Sequence, residues 1–455
     1  MNINSSMITN NHPYRFLLNS IFWSLIILGI TIPVSGQQTI KLSVSQALKI
    51  ASENNKVIQK SKLQEQVSIL EVKEKKQLRL PEIDFHASYS RITNLTEFQK
   101  GMFSDKKVTH TIPEMYDLKT TSRTPIYMGS KIRNSIKKAE QESEMASIAV
   151  EKTENDIHIE VVASYLGIYK LMELQKIIEE NIKEQEDRLK EVMSFRAHGT
   201  VKKDEVLRAE LQLSDMELAL MKNKKNIAIA TFELQTLLQL PEEDRLELDT
   251  TNLIATNSLL EPYAFYVKAT LQNEEMRITE KELEEAKTEQ KIIKGNYLPT
   301  ISFFTSYAFN YPNYMFFPPD PYLYTLGQVG VEATFSLSNL YKNKTKMQIA
   351  NKKIEVQETQ KEVVRNEMMD KVFKQYTQYQ EITDQFPVNQ KAVTLAAESY
   401  RIIKVKYLNH LILVTDMLDA DNALLTAKYN VVSTQIDATM KYYELLYTAG
   451  ILKVE

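Results

Sequence analysis

The sequence predicts a mainly α protein with a β-barrel portion, and three observations carry that prediction. Turn-forming residues are scarce: 455 residues contain only 10 glycines and 13 prolines, where an average chain of this length would hold about 30 and 20. The stretch between Pro125 and Pro241 has no proline at all. Elsewhere, short regions alternate in polarity with period two, the mark of a strand between two different surroundings.

Composition narrows the chemistry. The chain has no cysteine, which excludes disulfide scaffolds, thiolate metal sites, cysteine nucleophiles and a lipidated cysteine anchor. With 56 Lys and Arg against 59 Asp and Glu, the net charge is −3, so no basic field points to a nucleic-acid partner. Length alone allows one to three domains.

The first element is an export signal. Phe16 to Val34 is apolar apart from Asn19, Ser20, Ser24 and Thr31, follows Arg15 and precedes Ser35 and Gly36. A positive flank, an apolar core and small residues make a signal peptide over 1–36, with the mature chain starting near Gln37. A retained membrane anchor is the alternative, since the run approaches the ~20 residues of a spanning helix.

A first structural repeat occupies 37–250. It holds a helix, a strand hairpin at about 82–128 and long helices over 131–238. Ile83, Phe85, Ala87 and Tyr89 alternate after Leu80 and Pro81, whereas the returning stretch from Pro113 to Pro125 alternates poorly. A helix from Lys131 to Ala197 would be about 100 Å long. Val161, Tyr165, Ile168 and Met172 form one apolar stripe on it, and Val162, Leu166 and Tyr169 form a second. Two stripes require neighbours on two sides. Lys183, Glu184, Glu186 and Asp187 make the solvated face of a coiled coil.

The second repeat occupies 251–455, with a helix at 262–296, a hairpin at 299–338 and long helices at 341–447. Ile301 to Phe309 alternates after Leu298 and Pro299, and Leu323 to Ser338 alternates again. Between them, Pro312 to Tyr322 holds four of the thirteen prolines and many aromatics, which suits an exposed loop or an interfacial girdle.

Internal duplication ties the halves together. Tyr165 pairs with Tyr376 and Phe232 with Tyr443 at one common offset. Glu205-Val206-Leu207-Arg208-Ala209-Glu210 matches Asp416-Met417-Leu418-Asp419-Ala420-Asp421 at the same offset. Each copy follows a turn, Ala197 to Thr200 in the first and Leu408 to Leu411 in the second. Two hairpins give four strands per chain. Four lipid-facing strands cannot close, and open edges in lipid leave backbone groups unpaired, so several chains must share one barrel.

With these residues in place, the chain resembles the TolC-like outer-membrane efflux proteins. The resemblance rests on the signal, on Leu42 to Leu48 leading into Glu53-Asn54-Asn55, on Leu80-Pro81, on the duplicated plan and on Tyr407 to Ala420. It implies a homotrimer in which antiparallel coiled-coil helices form an α-barrel in the periplasm. Each chain would then contribute four strands to a 12-stranded transmembrane β-barrel. The family is a passive exit duct, with no enzymatic activity and no cofactor. It serves tripartite efflux pumps or type I secretion systems, with a periplasmic adaptor (membrane fusion protein) and an inner-membrane transporter as partners and outer-membrane lipid around the barrel.

The resemblance further implies site residues at the periplasmic tip. The aperture constriction maps onto Asp416 and Asp419, three apart on one helical face. Without the resemblance, an acid in a first helical turn reads as an offset to the macrodipole. A gate link maps onto Tyr407 and Glu205. The family's arginine falls on Ile412, with Asp204 where its partner would stand, so that half of the lock is missing. The tip turns contain Gly199, Asn409 and His410, and Asn409 is expected to adopt the left-handed conformation in place of a glycine. His198 and His410 in these turns raise a pH-sensitive tip.

An enzyme is excluded on residue supply: five scattered histidines follow the signal, and no HExxH pair or glycine-rich phosphate loop occurs. His158 is expected on a helix surface. The alternative function is a periplasmic coiled-coil adaptor protein of an export complex. A water-soluble β domain of that kind would not need matched hairpins in both repeats.

Overall fold

The computed structural model describes residues 39–249, 260–316, 318–409 and 411–452. The signal peptide over 1–36, the repeat boundary at 250 and 251, and His410 lie outside the described residues.

The chain starts with β1 (Thr39–Leu42), α1 (Val44–Asn54) and α2 (Lys56–Gln77). Ser43 and Gln46 form a reciprocal capping box at the start of α1, each side chain bonding the other's backbone amide at 3.3 and 3.0 Å. Asn55 ends α1 and caps α2, accepting from the Val57 amide at 2.8 Å. After Pro81 come β2 (Glu82–Arg91), a small ribbon of β3 (Leu95–Phe98) and β4 (Lys106–Thr109), and β5 (Glu114–Tyr127). From Glu114 onward, the poorly alternating Pro113 to Pro125 stretch thus lies within a 14-residue strand.

Helix α3 (Lys131–Ala197) runs unbroken for 67 residues and turns into α4 (Lys203–Leu238). β6 (Arg245–Leu248) then pairs in parallel with β1. In the second half, α5 (Tyr263–Thr270) and α6 (Glu274–Lys294) replace the single helix expected at 262–296. The chain breaks there because Asn273 caps α6, accepting from the Met276 amide at 3.0 Å. A single 3-10 turn, Gly295–Tyr297, leads into β7 (Thr300–Tyr311) and β8 (Tyr324–Thr334). β8 stops four residues before the end of the alternating stretch at Ser338. There the backbone already turns, with the Asn339 amide bonding the Ser336 carbonyl at 3.0 Å. The last pair is α7 (Asn339–Leu408), which continues through Pro387, and α8 (Val414–Thr448).

Sheet order is β2-β5-β7-β8, antiparallel throughout. Each of these strands continues directly into a helix or out of one. Helix contacts follow the same lateral order, α2 on α3, α3 on α6 and α6 on α7. Below them, α3 packs on α4, α7 on α8 and α3 on α8. One wall of strands therefore becomes one wall of helices.

Register gives the sheet two chemically different faces. Phe85, Thr120, Tyr307 and Gly327 share one face, with Ala87, Leu118, Phe309 and Thr325 beside them. On that face Phe85, Tyr307 and Val329 are 69, 50 and 73% exposed, far more apolar surface than a water-facing sheet presents. The opposite face carries His86, Lys119, Arg123, Ser306, Gln328 and Glu332. Arg123 reaches Glu332 across β7 at 3.3 Å. Polar inside and apolar outside is the pattern of a barrel wall in a membrane. Among the described residues, no helix is long and apolar enough to cross a membrane.

The main core sits halfway down the helices. Val161, Val162, Tyr165, Leu166 and Ile168 of α3 are buried with Ala47, Leu48, Ile58, Leu234, Leu238 and Ile436. The Tyr165 hydroxyl donates to the Leu42 carbonyl, 2.6 Å away, and lies 2.8 Å from that of Asp249. It thereby ties the two-stranded β1–β6 sheet to the long helix. His158 is 5% exposed with Nε2 at 2.7 Å from the Ser52 hydroxyl, which corrects the surface placement expected from sequence. α1 covers it, and burial lowers its pKa.

Candidate functional site

The sequence places function at the two helical turns, and the structure brings those turns together. The α3–α4 turn reverses at Gly199, whose φ of +73° is the left-handed region that glycine enters without steric cost. The Gly199 amide bonds the Arg196 carbonyl at 3.0 Å, and Thr200 closes the turn on the Phe195 carbonyl with its amide at 3.0 Å and its hydroxyl at 2.8 Å. His198 Nδ1 lies 2.7 Å from the Ser194 carbonyl oxygen. In the α7–α8 turn, Asn409 has φ −94°, so the expected left-handed asparagine is not formed. Its side-chain amide donates to the Val405 carbonyl at 2.8 Å beside its own backbone amide at 3.2 Å, and the Leu411 amide bonds the Lys406 carbonyl at 3.0 Å.

A local apolar cluster holds the two turns side by side. Val192 of α3, Ala209 of α4, Tyr407 of α7 and Val414, Met417 and Leu418 of α8 are all buried together. Ile412, where the resemblance expects a charged partner, packs against this cluster. An apolar contact takes the place of that missing half of the lock.

Asp416 and Asp419 are both exposed near the start of α8. The Asp416 carboxylate accepts from the Leu413 backbone amide at 3.2 Å, so it caps the helix. Asp419 is one turn further on the same face. Both carboxylates stay open to solvent, the condition for a charged ring at an opening.

Tyr407 is 2% exposed, and its hydroxyl has no hydrogen-bond partner among the described residues. Burial pushes its pKa up to about 12, with the charges of Glu205 and Glu191 adding to the shift and Arg188 opposing it. Glu205 therefore acts on Tyr407 electrostatically within one chain, without a hydrogen bond between them. Phe195 packs edge-on against the Tyr407 ring at 6.2 Å.

The strongest polar contact at the tips involves residues that the sequence did not single out as a site. Arg188 of α3 and Asp421 of α8 pair at 3.2 Å with both side chains only 2% exposed. Gln185 and Asn181, on the same stripe of α3, also donate to the Asp421 carboxylate. Arg188 donates onward to the Tyr400 hydroxyl of α7 at 2.9 Å. This network links α3, α7 and α8 roughly two to three turns above the tips. Its signal was present in the sequence: Ile178, Asn181, Gln185, Arg188 and Val192 keep the three-and-four spacing of a buried seam, yet three of the five are polar.

Among the described residues, no cluster of His, Asp or Glu could hold a metal ion.

Comparison with known proteins agrees with this geometry. Residues 47–239 match the family model of outer membrane efflux proteins. A search of curated proteins gives no match in sequence. Among solved structures, the chain is similar to the CusC transmembrane channel, with a TM-score of 0.77 at 14% identity over 91% of this chain and 93% of that one. It is similar to the outer membrane protein VceC from Vibrio cholerae, with a TM-score of 0.72 at 13% identity over 90% and 96%. The open-state MtrE outer membrane channel of Neisseria gonorrhoeae gives 0.70 at 16% identity over 92% and 94%. These likenesses extend the fold across the second half, which repeats the plan of the first. Residues 47–239 thus match the outer membrane efflux protein family, and about nine-tenths of the chain shares the fold of solved outer-membrane channels.

Proposed function

We propose that three copies of this chain close into one 12-stranded barrel continuous with one helical tube, and that Asp416 and Asp419 ring its periplasmic opening. One observation carries the reading: the order β2-β5-β7-β8 leaves unpaired edges on β2 and β8 beside a face of exposed apolar side chains. An open edge in lipid strands backbone donors and acceptors at several kcal/mol each. β2 and β8 run in opposite directions, so β8 of one copy can pair with β2 of the next in the same antiparallel sense. The two structural repeats, 37–250 and 251–455, would then alternate around the ring.

The duct serves as the exit of a tripartite pump or a type I secretion system. A periplasmic adaptor would meet the helical wall and an inner-membrane transporter would feed it. Two exposed carboxylates per chain, six in a trimer, favour cations in a narrow opening. A hydrogen bond from the Tyr407 hydroxyl to Glu205 is the gate link this reading expects in one of the channel's states, since the hydroxyl is buried beside that charge.

Planar-bilayer recording tests the aperture. Asp416→Ala with Asp419→Ala should raise single-channel conductance or weaken cation preference. Unchanged conductance together with unchanged selectivity would place the constriction elsewhere.

A further inference from the structure

Where β5 becomes α3 and α6 becomes β7, the backbone closes on itself through two glycines. A Cβ on Gly129 would lie 2.6 Å from the Gly295 carbonyl oxygen, and one on Gly295 would lie 2.6 Å from that of Gly129. Backbones can touch there only because neither residue has a side chain. The side chains that follow spread around a cavity of about 520 Å³. Arg133 and Lys137 of α3 and Lys291 and Lys294 of α6 line it, with Asn134 between them.

The placement of these charges calls for an anion. Lys291 and Lys294 are in the last turn of α6, where cations offset the negative end of the macrodipole. Arg133 and Lys137 are in the first two turns of α3, at its positive end. That helix has no acid in its first turn, and Ser130 makes no side-chain cap. Cations gathered at a helix N-terminus oppose the dipole unless a negative group sits among them. None of the four has an ion-pair partner among the described residues. A second, independent observation is Asn134: it is 7% exposed, it lines the same cavity, and its side-chain amide has no partner among the described residues. The residue is nine-tenths buried yet its amide stays open to the cavity, so its donors are available to a ligand.

The surroundings identify the kind of anion. The cavity opens beside Ile126 and Leu298, which are 60% and 42% exposed, at the end of the strands where the apolar face begins. The other helix that leaves the sheet, α7, opens with Lys342, Lys344 and Lys346 and no acid over residues 339–346. We infer that the β5–α3 and α6–β7 junction binds the phosphate headgroup of an anionic glycerophospholipid, whose acyl chains lie against the apolar face of the strands. The inference rests on the outer-membrane reading of the fold.

The test uses the full chain, purified in detergent from the outer-membrane fraction and stripped of lipid, with native mass spectrometry as readout. Dioleoylphosphatidylglycerol, dioleoylphosphatidylcholine and inorganic phosphate are added in separate arms. Phosphatidylglycerol should bind about tenfold more tightly than phosphatidylcholine, and R133Q/K137Q/K294Q should weaken it by about tenfold or more. These side chains are largely solvent-facing, so the variant should keep the assembly of the parent, and K222Q/K225Q on α4 should leave lipid affinity unchanged. Equal binding of the two lipids, or an unchanged affinity in the triple variant, overturns the lipid site. Inorganic phosphate binding as tightly as the lipid would make it a free-anion site and overturn the assignment to lipid. Absence of the parent chain from the outer-membrane fraction would instead sink the membrane reading itself, and this inference with it.

Discussion

Helices α3 and α7 are counterparts in a duplicated chain and nearly equal in length, 67 and 70 residues, yet their surroundings differ sharply. α3 has eighteen buried positions and α7 has six. α3 touches α1, α2, α4, α6 and α8, so both of its apolar stripes are covered within one chain. The lower part of α7 has only α8 as a close neighbour for much of its length. Val388, Leu395 and Ile402 recur every seven residues on it and are 66, 61 and 43% exposed. A seven-residue apolar repeat is a coiled-coil seam, and on α7 it lacks its partner. α3 is thus completed inside the protomer, whereas α7 leaves a seam open, as does α4, where Leu211, Leu218 and Phe232 are 63, 46 and 50% exposed.

The duplicated acids diverge in the same way. Glu210 on α4 is exposed, whereas its counterpart Asp421 on α8 is buried against Arg188 of α3. Only one of the two equivalent positions locks the repeats together. Duplication supplied two equal motifs, and packing gave them different work.

The largest effect should come from charging the unpartnered seam. Val388→Asp with Leu395→Asp should abolish the oligomer, read as monomer by native mass spectrometry, because a buried charge at a seam position is strongly unfavourable. A pair of Asp substitutions at exposed Lys183 and Lys190 of α3 should leave assembly intact. Dissociation by the α3 pair, or tolerance of the α7 pair, would erase the contrast between the helices.

Next in size is the buried lock. Asp421→Ala strands Arg188 in a site that is 2% exposed and should cost about 3–5 kcal/mol in chemical unfolding. Glu210→Ala, at the equivalent exposed position, should change stability by under about 0.5 kcal/mol. Similar losses in both would show that the two acids are equivalent after all.

Smaller still is the titration of Tyr407. Its folded pKa is raised to about 12 from an ordinary value of 10.0. The folded state therefore holds the proton longer than the unfolded one, and stability falls as pH rises from about 10 towards 12. Tyr407→Phe should flatten that fall while changing stability little at neutral pH, because the lost hydroxyl had no partner. An unchanged pH profile in Tyr407→Phe would move the titrating group elsewhere. The smallest effect belongs to Gly199→Ala, which forces a side chain into φ +73° and should cost about 1 kcal/mol.

Much of this plan is legible in the sequence because the relevant signals are local. α3 is marked by its lack of proline and by the double stripe at Val161 and Val162, and β7 and β8 by alternation that matches their register residue for residue. β5 is harder to see because its faces are nearly equal in polarity: Thr120, Ser122 and Thr124 stand on the apolar side. The β1–β6 pair is invisible locally, since two four-residue strands from distant parts of the chain make each other. The lock is hidden for a related reason. Asp421 was visible as the last acid of a repeated motif, but only the abutment of α8 on α3 makes it a buried ion pair. Asn409 fails as a left-handed residue because backbone amides already close the helix end, its own on the Val405 carbonyl and that of Leu411 on the Lys406 carbonyl.

The central claim is that one chain is a sector of a closed duct, and the most direct test is the native mass of the outer-membrane protein in mild detergent, with and without heating in denaturing detergent. The account predicts three chains per particle and a shift in gel mobility only after heating, as the closed barrel opens. A single chain per particle with no heat-dependent shift would contradict it.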